Sequence, residues 1–333
     1  MCKVTVAILN YNGEEMLGRF LPSVLQNSPG ARIVVADNAS TDGSVAFMKE
    51  HFPGVELILL DRNYGFAEGY NRVMEHVDTE YVLLLNSDVE VTPGWLEPLV
   101  AALDADENVV ACQPKVLDYK CKSHFEYAGA AGGFIDFLGY PFCRGRLLRS
   151  IEQDRGQYDD EREVFWASGA ALCCRLACYR ELGGLDGSYF AHMEEIDLAW
   201  RMQLAGWQLR IVPQSVVYHY GGGTLQTDSP RKIFLNHRNN LAMLVKCAPV
   251  PQLVVAMLLR PWLDLLAALT YLVQGHPANF WAVFRAWGSF LGRVGELSKA
   301  RREVVRKADG SKHIYRGSLL WRYLWGCRTY LKL

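Results

Sequence analysis

The stretch Tyr81-Val-Leu-Leu-Leu-Asn-Ser-Asp-Val-Glu-Val91 decides the fold class of this chain. An apolar run that leads directly into Asn86-Ser-Asp88 is typical of a fully buried parallel strand. Asp88 would then lie at the carboxyl end of a strand, which is the edge where open α/β sheets bind ligands. Its carboxylate, with the side-chain oxygens of Asn86 and Ser87 beside it, suits Mg²⁺ or Mn²⁺ held partly through the phosphates of a substrate. An ordinary strand followed by a polar turn is the alternative interpretation.

The first hundred residues alternate predicted strands with predicted helices. Apolar runs at residues 4–9, 32–36 and 55–60 indicate strands, and a helical segment is predicted after each run. This order requires a parallel sheet with right-handed crossover connections. A Rossmann dinucleotide fold shows the same alternation, but no G-x-G-x-x-G follows the first strand, so the sequence offers little support for a nicotinamide cofactor.

Polar side chains follow four successive strands of this predicted sheet. They are Asn10 and Asn12, Asp37 and Asn38, Asn63, and finally Asn86 and Asp88. One such residue is an ordinary turn former. Because the carboxyl ends of parallel strands meet at one edge, four sets in register predict a shared ligand site.

Composition excludes several classes of function. The net charge of -1 argues against nucleic acid as the main partner. The nine cysteines contain no C-x-x-C pair, which indicates buried free thiols in a reducing compartment. The amino terminus enters a strand-like run directly, so we expect no secretion signal.

The second hundred residues contain a less regular pattern. Residues 112–160 are rich in glycine, and either a mobile loop or short antiparallel strands would fit them. Residues 165–175 resemble a strand, and residues 176–182 resemble a helix closed by two glycines. Residues 209–212 and 216–219 are predicted to form a strand pair.

Two further stretches carry chemically suggestive side chains. On a predicted helix, Asp197 and Arg201 are four residues apart and should form an ion pair, whereas Glu195 points elsewhere and could act as a general base. Acidic residues in a first helical turn also complement the helix dipole, which is the alternative. His219 ends a strand before the flexible segment Tyr220-Gly-Gly-Gly-Thr224 and could reach a metal or phosphates, although a lone histidine is more often structural.

Several ordered motifs together carry a family resemblance. They are Ile8-Leu-Asn-Tyr-Asn12, Asp37-Asn-Ala-Ser40, Asn63-Tyr-Gly-Phe-Ala-Glu-Gly-Tyr-Asn71, Asn86-Ser-Asp88, Ser168-Gly-Ala170, Glu194-Glu-Ile-Asp197 and His219. In this order they resemble family 2 glycosyltransferases of the rhamnosyltransferase-like bacterial branch, over residues 3–241. The resemblance implies the α/β GT-A fold, a mainly parallel sheet flanked by helices.

The resemblance also implies a domain division. Residues 1–235 would form the GT-A catalytic domain, with a nucleotide-sugar-binding half over residues 1–110 and an acceptor half over residues 111–235. Residues 236–333 would form a helical C-terminal extension that is aromatic and basic.

The resemblance assigns roles to individual residues. Asp37 would hydrogen-bond the nucleobase, Asp88 would bind Mg²⁺ or Mn²⁺ with His219, and Glu195 would be the catalytic base where the family usually has aspartate. Asn86 replaces the first aspartate of the family's D-x-D motif. The implied nucleotide-sugar ligands are Asn10, Tyr11, Asn12, Asp37, Asn38, Asn63, Gly65, Asn71 and Asn86. The implied acceptor-binding residues are Trp166, Ser168, Gly169 and Glu194.

The implied activity is an inverting transfer of one sugar from a nucleotide-diphosphate donor to a saccharide or lipid-linked acceptor, in cell-surface polysaccharide synthesis. A processive synthase would carry a Q-x-x-R-W motif and several clear membrane spans, neither of which the sequence contains. Two alternatives stay open, namely a nucleotide-sugar-binding module without catalysis and a sugar nucleotidyltransferase.

The C-terminal region suggests contact with a membrane. Residues 253–273 are mostly apolar, but Arg260 and Asp264 are costly within a bilayer, which favours a helix at the membrane interface or packed on the catalytic domain. From Arg285 onwards there are twelve Lys or Arg and three Asp or Glu. Aromatic plus basic residues predict peripheral contact with anionic lipid at the inner face of the cytoplasmic membrane. A helical appendix for homo-oligomerisation or core packing is the alternative.

Overall fold

The computed structural model describes residues 2–221 and 229–333. The predicted flexible segment after His219 therefore lies mostly outside the described residues. In chain order the strands are β1 Val4–Asn10, β2 Arg32–Asp37, β3 Glu56–Leu59, β4 Tyr81–Asn86, β5 Val89–Val91, β6 Val109–Asp118, β7 Gly133–Asp136, β8 Pro141–Cys143, β9 Arg146–Leu147, β10 Ser150–Ile151, β11 Arg162–Val164, β12 Ala171–Arg175, β13 Gln208–His219 and β14 Ile314–Tyr315.

Helices flank and extend these strands. In chain order they are α1 Glu14–Asn27, α2 Ser44–His51, α3 Gly65–Met74, α4 Leu96–Ala105, α5 Leu176–Glu181, α6 Glu194–Leu204, α7 Pro230–Cys247, α8 Val250–Val273, α9 Pro277–Gly292, α10 Val294–Glu303 and α11 Leu319–Leu324.

Strand β4 lies in the middle of the main sheet, whose order is β11-β13-β6-β12-β4-β1-β2-β3. It pairs in parallel with β1 and antiparallel with β12. Leu83, Leu84 and Leu85 are fully buried, and each contributes roughly 1.5–3 kcal/mol by leaving water. The prediction of a buried strand at this point, with a parallel sheet in the first hundred residues, is confirmed.

The other half of the main sheet differs from the prediction. Residues 208–219 form one strand, β13, and the predicted strand pair is wrong. The register against β6 shifts between Val212 and Val216. Pro213, which lacks an N–H group, lies in this irregular segment, and such a bulge bends a strand without ending it. The predicted strand at residues 165–175 is shorter in the structure, where β12 begins at Ala171.

Residues 112–160 complete β6 and then form short strands, which decides between the two alternatives for this region. Strands β7 to β10 belong to a second sheet of order β10-β9-β8-β7-β14. Strand β14 comes from the C-terminal region and pairs in parallel with β7. The predicted domain boundary at residues 235 and 236 falls inside α7, so the C-terminal region is joined to the catalytic part by a helix and by a strand.

Helix α8 is long and apolar, and it packs against α9. Among the described residues it is the one helix with the length and composition to cross a membrane. Arg260 and Asp264 are each 1% exposed and face the protein, as a helix with one polar side predicts.

Candidate active site

The carboxyl ends of β1, β2 and β4 meet at one edge of the main sheet. Asn10, the last residue of β1, lies beside Asp37, the last residue of β2. Asn86 ends β4 and pairs with Leu9. The predicted convergence of polar side chains at one edge is therefore present in the structure.

Asp37 is held within this edge by hydrogen bonds. It is 3% exposed. The Asn10 side-chain amide donates to one carboxylate oxygen at 3.0 Å, and the Ser40 backbone N–H donates to the other at 2.8 Å. Asn10 Oδ1 is buried without a hydrogen-bond partner among the described residues. A buried polar atom left unpaired is costly, so Asn10 offers an acceptor to a ligand at this edge, whereas the nucleobase role of Asp37 stays a prediction.

The loop before α3 forms the next part of this edge. The Asn38 side chain accepts from the Tyr64 N–H at 2.9 Å and donates to the Gly65 carbonyl at 3.0 Å. Asn63 accepts from the Gly65 N–H at 2.8 Å. Gly65 has φ +76°, and a Cβ on it would lie 2.6 Å from the carbonyl oxygen of Phe190, so only glycine fits. Asn38 therefore braces the loop.

The remaining predicted nucleotide ligands divide into two groups. Tyr11 is 36% exposed and Asn12 is exposed, so both can meet a ligand. Asn71 instead faces Leu185, to which it donates at 2.7 Å and from which it accepts at 3.0 Å. Its polar atoms are engaged inside the protein, and its predicted contact with a nucleotide gains no support from this geometry.

Asp88, His219 and Glu126 form a buried line of charged side chains. Nε2 of His219 lies 3.2 Å from Oδ1 of Asp88, and its Nδ1 lies 3.4 Å from Oε2 of Glu126. The second contact is an ion pair without aligned hydrogen-bond geometry. The side-chain amide of Asn86 lies 3.4 Å from His219 Nε2. The two predicted metal ligands are therefore adjacent, and Glu126 is a partner that sequence reasoning missed.

This line of charges fits a divalent cation. Burial opposes a charge on His219, but Glu126 and Asp88 outweigh it and raise the histidine pKa to about 10. The carboxylates of Asp88 and Glu126 therefore stabilise the positive charge of protonated His219. A bound metal ion would replace the proton on that histidine. No cluster of three or more potential ligands is found within the described residues. Two protein ligands suit Mg²⁺ or Mn²⁺ completed by substrate phosphates and water.

We predict that Glu126→Gln weakens divalent metal binding about tenfold or more, because carboxylates that orient a ligating histidine typically contribute 10–100-fold to metal affinity. Calorimetric titration of Mn²⁺ in the presence of a nucleoside diphosphate measures the effect. Glu152→Gln is the matched control, since that carboxylate accepts from Tyr158 and not from a predicted ligand. Equal Mn²⁺ affinity in wild type and Glu126→Gln would remove Glu126 from this role.

Helix α6 presents the predicted catalytic base. Glu195 is partly buried, its Oε2 atom is sealed from solvent, and that atom has no hydrogen-bond partner among the described residues. Burial raises the pKa of Glu195 to about 7. Glu194 is 4% exposed. Its pKa is also raised, mainly by burial and to a smaller extent by repulsion from Glu195. A carboxyl group poised near neutrality is suited to general base catalysis.

The segment leading into α6 is conformationally unusual. Phe190, His192 and Met193 have φ values of +67°, +69° and +73°. Non-glycine residues in this region carry strain that surrounding structure must hold in place, and such strain clusters at functional sites. The Phe190 carbonyl accepts from the backbone N–H of Phe66 at 2.6 Å, which ties this segment to the loop of α3.

A buried cluster of ion pairs involves residues on both sides of this segment. Lys246 is 4% exposed and lies 2.5 Å from Asp186 and 2.9 Å from Asp197. Asp197 also pairs with Arg201 at 2.8 Å, as predicted. Burial opposes ionisation of Asp186, but Lys246 outweighs it and lowers the pKa to about 2.

We predict that Lys246→Met lowers the free energy of unfolding by about 3–5 kcal/mol, because it leaves buried carboxylates with one cation fewer. Chemical denaturation at pH 7 measures this. The depressed pKa of Asp186 means that its stabilisation is present above its usual pKa and is lost as pH falls through about 2. Lys299→Met, at an exposed position of α10, is the control and should unfold like wild type.

The predicted acceptor-binding residues Ser168 and Gly169 lie between helix α6 and the predicted metal ligands. A Cβ on Gly169 would lie 3.6 Å from the Cβ of Glu195. Its neighbour Ser168 donates to the Ala128 carbonyl, and the Ala128 N–H donates to Glu126. Gly169 therefore lies near Glu195, and its neighbour Ser168 is joined through Ala128 to Glu126, the partner of His219.

Trp166, also predicted to bind the acceptor, is 2% exposed, and its indole N–H donates to the Phe134 carbonyl at 2.9 Å. Glu194 is similarly buried. Both side chains are therefore buried in the protein, and their direct contact with an acceptor stays a prediction.

Comparisons with known proteins identify the family and the fold that this chain resembles. The model of the family described as Glycosyl transferase family 2 matches residues 5–160. An N-acetylglucosaminyl-diphospho-decaprenol L-rhamnosyltransferase of Mycobacterium tuberculosis is 27% identical over 258 residues, covering 72% of this chain and 83% of the relative. Residues 5–160 therefore form a glycosyltransferase family 2 domain. Rhamnosyltransferase WbbL of Escherichia coli K12 is 24% identical to this glycosyltransferase, covering 65% of the chain and 83% of WbbL.

Solved structures show the fold of the glycosyltransferase. GalNAc-T7, solved with UDP, GalNAc and Mn²⁺, has a TM-score of 0.61 and 17% identity, covering 93% of this chain and 56% of GalNAc-T7. This chain therefore spans little more than half of that protein. The mannosyltransferase PcManGT of Pyrobaculum calidifontis, solved with GDP-Man and Mn²⁺, has a TM-score of 0.52 and 15% identity, covering 91% of this chain and 85% of PcManGT. The predicted GT-A fold is confirmed.

Proposed function

We propose that this glycosyltransferase moves one sugar from a nucleoside-diphosphate donor to a lipid-linked saccharide, with inversion at the anomeric carbon, in cell-surface polysaccharide synthesis. The observations that carry the proposal are the buried Asp88–His219 pair and Glu195, a carboxyl with one oxygen that has no hydrogen-bond partner among the described residues. The Mycobacterium tuberculosis relative, whose name specifies a diphospho-decaprenol saccharide, supports the acceptor class.

The donor side of the mechanism uses the edge of the main sheet. Asp88 and His219 would hold Mg²⁺ or Mn²⁺ together with the donor diphosphate. When bound, such a cation stabilises the negative charge that develops on the leaving diphosphate. Asn10, with a buried oxygen that lacks a partner among the described residues, offers an acceptor to a donor N–H or O–H group.

The acceptor side of the mechanism uses Glu195. Its carboxylate takes the proton of the acceptor hydroxyl while that oxygen bonds to the anomeric carbon and the bond from that carbon to the donor phosphate breaks. The proton ends on Glu195 and the electron pair on the nucleoside diphosphate. Asp197 is engaged by Arg201 and Lys246, which leaves Glu195 as the carboxyl suited to proton transfer.

The experiment measures released nucleoside diphosphate with Mg²⁺ or Mn²⁺. A panel of UDP-, GDP- and dTDP-linked sugars, L-rhamnose among them, is incubated with and without a short-chain polyprenyl-diphosphate N-acetylglucosamine. We expect acceptor-dependent release with one donor. Donor binding without release at any acceptor would favour the non-catalytic module instead. Formation of a nucleotide sugar from a sugar phosphate and a nucleoside triphosphate would favour a nucleotidyltransferase.

A further inference from the structure

Helix α8 turns its charged residues inward. The Arg260 guanidinium donates to the Leu138 carbonyl at 3.0 Å and pairs with Asp264 at 3.3 Å. The indole N–H of Trp287, on α9, donates to Asp264 at 3.0 Å. The side chain of Asn240, on α7, also accepts from Arg260. The polar side of α8 is therefore satisfied by the protein.

The outward side of α8 is apolar along its whole length. Apart from Thr270, every exposed residue of the helix is apolar. Leu258, Trp262 and Leu266 are 66%, 68% and 59% exposed and lie one turn apart on one face. With 24 residues the helix is about 36 Å long. Soluble monomers rarely expose a continuous apolar surface of this kind.

Helix α9 extends this surface beside α8. Its exposed large side chains are Trp281 at 61%, Phe284 at 42% and Leu291 at 62%, and Arg285 is the exposed charge among its residues. Tryptophan is enriched where an apolar phase meets water. We call the outward sides of α8 and α9 the apolar face.

We infer that the apolar face docks the glycosyltransferase on a bilayer containing anionic lipid, with α8 lying in the interface and not crossing it. A helix that crossed the bilayer alone would have lipid on all its sides, whereas the buried pair of Arg260 and Asp264 fixes one side of α8 to the protein. The chain from Arg285 onwards carries twelve basic and three acidic residues, which complement anionic headgroups.

The charge distribution favours a bilayer over a second copy of the chain. Two copies joined through the apolar face would each carry the same excess of basic residues from Arg285 onwards, and like charges repel, whereas anionic headgroups attract these residues. The inference deepens the proposed function and rests on it for the acceptor, since a lipid-linked saccharide is presented at a bilayer surface. The docking itself depends on the apolar face and on the basic residues from Arg285 onwards, and it does not depend on catalysis.

The test is flotation of the full chain with vesicles of phosphatidylcholine alone or with 30% phosphatidylglycerol. Wild type should float with the anionic vesicles, and the triple variant Leu258→Glu, Trp262→Glu, Leu266→Glu should bind them more than about tenfold more weakly. The matched control is Leu25→Glu, Leu59→Glu, Ile151→Glu, which changes three side chains that are 38%, 55% and 43% exposed elsewhere. It should float like wild type.

Further measurements keep the outcomes separate. Thermal melting confirms that both triple variants fold, and donor turnover with a water-soluble acceptor should match wild type. Wild type that stays unbound at both vesicle compositions would overturn the inference, as would a wild-type dimer that the first triple variant converts to monomers without any flotation. Flotation without turnover on any donor would leave the docking intact and contradict the proposed function.

Discussion

Glu195→Gln lowers kcat by about 10²–10⁴-fold and leaves donor affinity within about twofold of wild type, because a general base contributes on that order to proton transfer. Glutamine keeps the size of the side chain and removes its ability to accept the proton. Turnover is measured as released nucleoside diphosphate, and donor affinity is measured by calorimetry. Near wild-type turnover would exclude Glu195 from proton transfer.

The pH dependence gives an independent readout of the same residue. The pKa of Glu195 is raised to about 7 by burial, so the carboxyl is protonated and inactive below that pH. Wild-type kcat/KM should therefore rise as pH increases through about 7. Because its pKa is raised in the folded protein, the protonated carboxyl of Glu195 stabilises the fold, and this contribution is lost as pH rises through about 7. Thermal stability should therefore fall more in wild type than in Glu195→Gln over this range.

Glu194→Gln is the control for the base. The two carboxyls are adjacent in sequence and both have raised pKa values, but Glu194 is 4% exposed while Glu195 is partly exposed. We expect Glu194→Gln to lower kcat by less than tenfold. A larger loss for Glu194 than for Glu195 would reverse the assignment.

Local signals in the sequence were sufficient for the donor half of the fold. The apolar run ending at Asn86 predicts β4, and polar residues after successive strands predict the shared edge where Asn10 and Asp37 meet. Parallel pairing follows from the alternation of strands and helices, and it needs no knowledge of distant contacts. The confirmed strands and helices are those that a short stretch of about ten to fifteen consecutive residues is enough to predict.

Features set by distant contacts could not be predicted in the same way. Glu126 lies between two aromatic residues in a glycine-rich region, and no local pattern indicates that it meets His219, 93 positions further on. Asn71 belongs to a resembling motif, yet its amide holds Leu185, which is 114 residues away. An acid within an apolar stretch was the one available signal for Glu126, because buried carboxylates require partners.

Asp88→Asn should abolish the dependence of donor binding on metal. The Asp88 carboxylate is a predicted direct metal ligand, and residues that only hydrogen-bond a metal ligand typically contribute about 10–100-fold to metal affinity. Loss of Asp88 should have a larger effect, so donor affinity with Mn²⁺ should fall more than about 100-fold. Calorimetry with the donor selected by the panel measures this. His219 remains in Asp88→Asn, and its positive charge beside Glu126 disfavours a cation.

Removing the metal with a chelator should reverse the direction in which Asp88→Asn changes donor affinity. Without metal, the Asp88 carboxylate repels the donor diphosphate, so Asp88→Asn should then bind the donor at least as tightly as wild type. Asp61→Asn is the matched control, since that exposed carboxylate accepts from Tyr64 at 2.8 Å, and it should keep the full effect of Mn²⁺. If Asp88→Asn weakened donor binding equally with and without Mn²⁺, Asp88 would act by shaping the edge of the sheet, because only a metal ligand makes the loss conditional on the metal.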